Sequence, residues 1–305
     1  MELVLASLAD KVERDRLSHL AWDPRLSPEQ FLAREERLRA HPFAQDRMST
    51  WLLRSGERTV SSCETFRMDS RLDGSQGSTY GIASVFTEES LRGNGHASRM
   101  LELLHQQLSA NDPAAHGSIL FSDVGEDIYR RLGYEPRPAI DWMFAPSTRA
   151  ARTEPVVDDD ISELLATAER PDDLFLIWPS AAQIDWHLER ERAYSDLIGR
   201  PRPIACGARA GRSFGLWASD FKNNRLLIVF FHAEGPAAAE ELTRAAQYAA
   251  HHASLAEVRM WDHPHLEPFE IKGQKVSRQG ELPMLRPYAG FNPENWEWIT
   301  RALWV

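Results

Sequence analysis

Between Thr79 and Leu108 the chain passes from an alternating strand, through a loop with two glycines, into an amphipathic helix. Few folds accommodate that succession. Tyr80, Ile82, Ser84 and Phe86 are expected on one face of the strand. Gly81, Ala83, Val85 and Thr87 fall on the other, where small side chains leave the backbone approachable. Met100, Leu101, Leu104 and Leu108 then recur at helical spacing. The loop between, Arg92-Gly93-Asn94-Gly95-His96-Ala97, has the makings of an anion cradle. Glycine lets the backbone come close to a ligand. The first helical turn offers unpartnered N–H groups at the positive end of the helix dipole. Arg92 adds a cation. No Gly-Lys-Ser/Thr ending follows, and no acidic residue is placed for a ribose, so nucleoside triphosphate and dinucleotide sites are disfavoured.

The rest of the first half supports a mixed sheet with flanking helices. Leu3–Ala6, Trp51–Arg54, Thr59–Arg67, Ser118–Phe121 and Ile140–Phe144 read as strands, with Gly74–Gly77 turning the chain before Thr79. Lys11–Leu20 is polar and helix-prone. Ser27-Pro28-Glu29-Gln30 starts a helix that places Phe31, Leu32, Glu35 and Leu38 on one side. Glu126–Leu132 is a short helix closed by Gly133. Ala145–Pro155 has linker composition. The expected domains are therefore 1–146 and 147–305, in line with two domains for 305 residues. In the second half, strands at Ile204–Arg209, Ser213–Trp217 and Arg225–His232 precede a helix at Ala237–His252 and a strand at Val258–Trp261. That order repeats the first half without its glycine loop, which suggests a degenerate copy.

Thirty-five Lys and Arg against 45 Asp and Glu give a net charge of −10, which argues against nucleic-acid partners. No apolar run approaches the length of a membrane helix. Cys63 and Cys206 are too few for a disulfide framework or a four-thiolate zinc site. These features point to a cytoplasmic protein with no nucleic-acid or membrane partner. They leave its oligomeric state open.

Thirty-seven residues after Arg92 comes Tyr129-Arg130-Arg131-Leu132-Gly133-Tyr134. Arg-x-x-Gly-x-Ala after one strand and Tyr-x-x-x-Gly-Tyr after the next resembles the GNAT superfamily of acyl-CoA N-acyltransferases over about residues 1–146. Ser62–Arg67, Gly81–Thr87 and Leu120–Gly125 are similar to the fungal lysine N-acetyltransferases of lysine catabolism. So are Ile177-Trp178-Pro179, Asp185-Trp186 and the ending Glu294–Ile299. The resemblance implies an α/β (α+β) GNAT sheet with a second α+β domain that walls the acceptor pocket. It implies acetyl-CoA as co-substrate and direct transfer to a small primary amine, the side-chain amine of free lysine first. A polyamine or aminoglycoside, or a non-catalytic CoA-binding protein, are the alternatives.

Residue roles follow from the same resemblance. Val85, Phe86 and Thr87 would present backbone groups to the pantetheine arm, and one of their N–H groups would hold the oxyanion. The backbone from Gly93 to Ala97, with Arg92, would hold the pyrophosphate. Ser122 stands where the superfamily often has Asn. Tyr129 is the candidate general acid, because a phenol near 10 can protonate a thiolate near 8.5. Glu64 and Asp123 are the candidates for the base or for binding the amine. Arg34 and Arg67 are the candidates for an acceptor carboxylate. Cys63 reads as a buried small hydrophobe. His251-His252 and His263-Pro264-His265 lack carboxylates or cysteines at ligand spacing, so no metal is expected.

Overall fold

Two serines start the first two helices by the same device. Ser7 caps α1 (Leu8–Trp22) and Ser27 caps α2 (Pro28–Ala40), and the side chains of Asp10 and Gln30 return the bond to the cap's own N–H. The computed structural model describes every residue except Ala289. It divides the chain into two units, Met1–Pro138 with Gly280–Asn295 and Val305, and Ala139–Gln279 with Trp296–Trp304.

In the first unit, β1 (Glu2–Leu5) precedes α1 and α2, and the short α3 (Pro42–Arg47) leads into β2 (Met48–Ser55), β3 (Arg58–Leu72) and β4 (Ser75–Phe86). The turn between β3 and β4 is Asp73-Gly74, both at positive φ, a two-residue hairpin that falls just before the expected Gly74–Gly77. After β4 come α4 (His96–Asn111), β5 (Ala115–Ser122), α5 (Asp127–Arg130) and β6 (Glu135–Pro136). The expected face of α4 is fully used: Met100, Leu101 and Leu104 are 0% exposed. They pack with Trp51, Ile82, Leu120 and Tyr134. On α2 the buried residues are Phe31, Arg34 and Leu38, so Arg34 takes a core-facing place that the apolar spacing gave to Leu32. α1 is inverted: Arg14, Asp15, Ser18 and His19 are buried while Leu17 and Leu20 face solvent. A helix that buries its polar face must supply those groups with partners.

The second unit opens with β7 (Ile140–Phe144) and β8 (Glu154–Val156). Then come α6 (Ile161–Thr167), β9 (Phe175–Ile177), α7 (Ala181–Leu197), β10 (Gly207–Ala210), β11 (Ser213–Asp220) and β12 (Arg225–His232). α8 (Pro236–His252), β13 (Glu257–Trp261) and β14 (Gln274–Ser277) follow. Its sheet runs β14-β7-β13-β12-β11-β10-β8, and β12 and β13 are its parallel pair. α8 packs on one face through Ala239, Leu242, Ala246 and Ala250. α6, α7 and the C-terminal segment cover the other.

The last strand, β15 (Leu282–Pro287), belongs to the first unit. The main path of the first sheet reads β1-β2-β3-β4-β5-β15-β6, with β4 and β5 a parallel pair. Both units thus share one plan: three antiparallel strands, a helix, a parallel strand, and an antiparallel strand beyond it. That added strand is β15 beside β5 in the first unit and β7 beside β13 in the second. The division is not the single cut at 146 expected from composition. Strand propensity in Ile140–Phe144 and Leu282–Pro287 is local, whereas the choice of sheet is made by non-local pairing.

Candidate active site

The strand ahead of the glycine loop does not alternate to its end. β4 pairs with β3 up to Ala83 opposite Glu64, then slips so that Phe86 opposes Ser62. Ser84 sits in the slip at φ 51. The extra residue is a β-bulge, which re-aims the side chains after it and overturns the expected common face of Ile82, Ser84 and Phe86. A positive φ at serine costs on the order of 1–3 kcal/mol and must be held by its surroundings. Arg14 Nη2 donates to the Ser84 carbonyl at 3.2 Å, and Ser61 Oγ donates to the Phe86 carbonyl at 2.9 Å. The Ser61 and Thr87 hydroxyls are 3.0 Å apart.

On its other side β4 parts from β5. The last pair is Ile82 with Leu120, yet β4 continues through Phe86 and β5 through Ser122. The backbone around Val85 therefore leaves the parallel ladder just before the glycine loop. Gly93 and Gly95 have φ of 81 and 74, and Gly95 is the N-cap of α4 with no side chain to offer. A Cβ at either glycine would meet nothing within 4 Å, so backbone conformation demands glycine there and the space in front is open. Arg92 Nε donates to the Thr87 carbonyl at 3.1 Å, which joins the loop to the end of β4. Asn94 Nδ2 donates to the Leu91 carbonyl at 3.0 Å, and His96 Nδ1 is buried with no hydrogen-bond partner among the described residues. An uncapped helix start, a fixed arginine and an open strand edge suit a phosphate-bearing extended ligand.

Tyr129 is 8% exposed and packs edge-to-face on Tyr134. Burial, with Cys63 and Asp123 adding, pushes its hydroxyl up to about 12. Cys63 is fully buried, and burial raises its thiol to about 12, so it is a packing residue and not a nucleophile. Ser122 donates to the Gly125 carbonyl at 2.5 Å and accepts from Val124 N–H at 3.3 Å, which commits its hydroxyl to the turn after β5. Asp123 Oδ1 accepts from Glu281 N–H at 2.8 Å, next to the start of β15.

The remaining candidates separate. Glu64 is 6% exposed and bound by Arg14 at 2.8 Å. Arg14 also reaches Ser62 Oγ at 3.2 Å and Asp15 at 3.4 Å, and Arg39 holds Asp15 at 2.7 Å. Arg34 is spent on Asp23 at 3.3 Å and Glu35 at 2.7 Å. Arg67 pairs across from Tyr80, about 13 Å along β4 from Ser84 at ~3.3 Å per residue, and its Nε faces Asp112 at 3.6 Å. Neither arginine is therefore free beside the bulge to take a carboxylate. A partly open pocket does lie there, lined by Asp10, Glu13, Arg14, Ser62, Phe86 and Glu88 among others. Sequence reasoning missed Arg14, which sits on a helix legible only as polar. The available signal was the weak apolar spacing of Lys11–Leu20 itself.

The second unit has the same parting of strands and closes it. β12 and β13 pair last at Ile228 with Met260, and β12 runs on to His232. Thr300 Oγ1 donates to the Val229 carbonyl at 2.9 Å. Trp298 packs on Phe230 and Trp178, and Gln183 and His187 bind the Ala302 carbonyl at 2.7 and 2.9 Å. The C-terminal segment thus fills the opening, with Trp298, Ala302 and Leu303 buried.

Residues 16–137 match the acetyltransferase (GNAT) domain, and residues 149–302 match the family described as LYC1 GNAT-like C-terminal domain. The chain belongs to the GNAT superfamily of acetyltransferases. Within it, the second half places the chain with proteins that resemble LYC1. A probable N-acyltransferase from Enterococcus faecalis V583 is 13% identical, with a TM-score of 0.61 over 94% of this chain and 72% of that one. A GCN5-related N-acetyltransferase from Kribbella flavida is 21% identical, TM-score 0.57, over 94% and 71%. Eis1 from Mycobacterium abscessus is 10% identical, TM-score 0.55, over 94% and 74%. These likenesses show the fold. No curated protein matches in sequence. No helix among the described residues is long and apolar enough to cross a membrane.

Proposed function

We propose that the chain is an acetyl-CoA-dependent N-acetyltransferase of a small primary amine, with the side-chain amine of free lysine the first acceptor to test. The observation that carries this reading is the parting of β4 from β5 after Ile82, directly ahead of the uncapped start of α4. Backbone groups of Val85, Phe86 and Thr87 would align the pantetheine arm, and Arg92 with the Gly93–Ala97 backbone would receive the pyrophosphate. Acetyl-CoA supplies an activated thioester with a thiolate leaving group. A Tyr129 hydroxyl at about 12 holds its proton more tightly than a thiol near 8.5 does. It therefore acts by donating a hydrogen bond to the developing thiolate, with full proton transfer uphill. Glu64, anchored by Arg14, and Asp123, anchored by Glu281, are fixed carboxylates that orient the amine. Both cysteines are free and buried, which suits the cytoplasm.

A second reading has its own support. With Arg34 paired and Arg67 remote, the pocket turns the solvent-accessible carboxylates of Glu13 and Glu88 toward a cationic amine, while its own Arg14 is already paired with Glu64. A polyamine-like acceptor fits that lining. The test is acetyl-CoA-dependent thiol release with a panel of amines. Lysine above ornithine, and both above cadaverine, supports the amino-acid reading. Equal kcat/KM for lysine and cadaverine moves the assignment to the polyamine class. No release with any amine overturns the enzymatic reading and leaves a CoA-binding protein.

A further inference from the structure

Asp173, His265 and Glu297 stand far apart in sequence, 92 and 32 residues to either side of the histidine. In the second unit their ligand atoms all lie within 4.8 Å of one another. His265 Nε2 is 2.9 and 3.0 Å from the two oxygens of Asp173, whose side chain is only 9% exposed. We propose that these three side chains form a binding site for one divalent transition-metal ion, zinc by preference.

The chemistry of the donors narrows the ion. One imidazole nitrogen with two carboxylates is a mixed nitrogen and oxygen set, which zinc accepts and calcium, seeking six to eight oxygens, does not. Two carboxylates so close repel each other, and a dication at their centre removes that repulsion. The geometry needs little change. Bonds of about 2.0–2.1 Å in a tetrahedron place neighbouring donors roughly 3.4 Å apart. The Asp173–His265 pair opens by about half an ångström, and the exposed Glu297 swings in to close the third side. A second, independent observation points the same way. His263 is 9% exposed, and its Nδ1 has no partner among the described residues. Its ring centroid lies 6.0 Å from that of His265. It is a donor in reserve for the fourth position.

All three residues belong to the second unit. Asp173 precedes β9, His265 lies in the 3-10 turn Pro264–Phe269, and Glu297 lies in the C-terminal segment that fills the opening beside β12. An ion there clips that segment to two others of the same unit. The expectation of no metal came from local spacing, which cannot register carboxylates supplied by distant segments.

The test uses the full chain, freed of metal by a chelator and titrated calorimetrically with zinc chloride. One ion per chain, with a rise in Tm of about 4 °C or more at saturating zinc, is expected. Glu297→Gln, at an exposed position, should keep the zinc-free Tm and lose the increment. His265→Ala should lose binding, while His251→Ala/His252→Ala, at an exposed pair elsewhere, should retain it. Cobalt in place of zinc should give the visible absorption of a nitrogen and oxygen site in the wild type and not in Glu297→Gln. Absence of binding overturns the proposal, and so does equal binding by wild type, Glu297→Gln and His265→Ala.

Discussion

Arg14 Nη1 lies 2.8 Å from Glu64 Oε1, and both side chains are more than nine-tenths buried. The same guanidinium holds the carbonyl of the bulged Ser84. One residue of α1 therefore fixes both a candidate acceptor-binding carboxylate and the strained backbone beside the strand opening. Removing one partner of a buried pair leaves an uncompensated charge and costs about 3–5 kcal/mol. Arg14→Ala should lose stability in that range by urea denaturation, and Glu64→Gln should lose less. A change below about 1 kcal/mol for Arg14→Ala would show the pair to be dispensable.

Tyr129→Phe keeps the ring in its core and removes the hydroxyl. A fall in kcat of about 10²–10³-fold is expected, the size of losing one hydrogen-bond donor to developing charge, with acetyl-CoA affinity nearly unchanged. Because the hydroxyl is held at about 12, it stays protonated below roughly pH 11, so it adds no alkaline loss of activity in the range usually measured. An alkaline limb near pH 9 that vanishes in Tyr129→Phe would contradict this placement.

Gly95 needs its left-handed conformation, and its missing side chain faces open space. Gly95→Val strains the backbone by about 1–2 kcal/mol and puts a branched group where the ligand's pyrophosphate is proposed to lie. The prediction is a folded protein whose acetyl-CoA Kd rises at least tenfold in calorimetry. Unaltered affinity would reduce the loop to a turn.

Acid should weaken the fold through buried histidines. Burial lowers His105 and His187 to about 3. The unfolded chain takes up their protons near 6.5, while the folded protein does not until about 3, so their contribution is present above 6.5 and lost as pH falls through that window. From pH 6.5 to 5 each should cost about 2 kcal/mol. Denaturation at the two pH values measures this, and His187→Gln should flatten the dependence by one proton.

A fragment ending at residue 146 lacks β15. Met284 and Leu285, both 0% exposed, pair with Leu120 and Ile119 and complete the first sheet. Such a fragment should fail to give a cooperative thermal transition. Joining residues 280–295 to it should restore one. A well-folded 1–146 piece would show β15 to be an accessory.

What the amino-acid sequence determined alone is the set of features encoded by neighbours. The α4 face at Met100, Leu101 and Leu104, the cap at Ser27 and the glycine loop at Arg92–Ala97 all follow from spacing within one or two turns. So does the Tyr129 motif, whose aromatic and glycine sit four residues apart. The tertiary structure decided whatever needed partners from far along the chain. It placed the bulge at Ser84, which depends on the register of β3. It turned the polar face of α1 inward, because Glu64 and Ser62 on β3 and Asp15 with its own partner Arg39 satisfy that face. It withdrew Arg34 and Arg67 to partners of their own, and it gave β7 and β15 to opposite sheets. It also drew two carboxylates to His265. Periodicity records which side of an element is apolar. Which buried charge meets which is a matter of Coulomb energy over a few ångströms, and those distances exist only after the chain has folded.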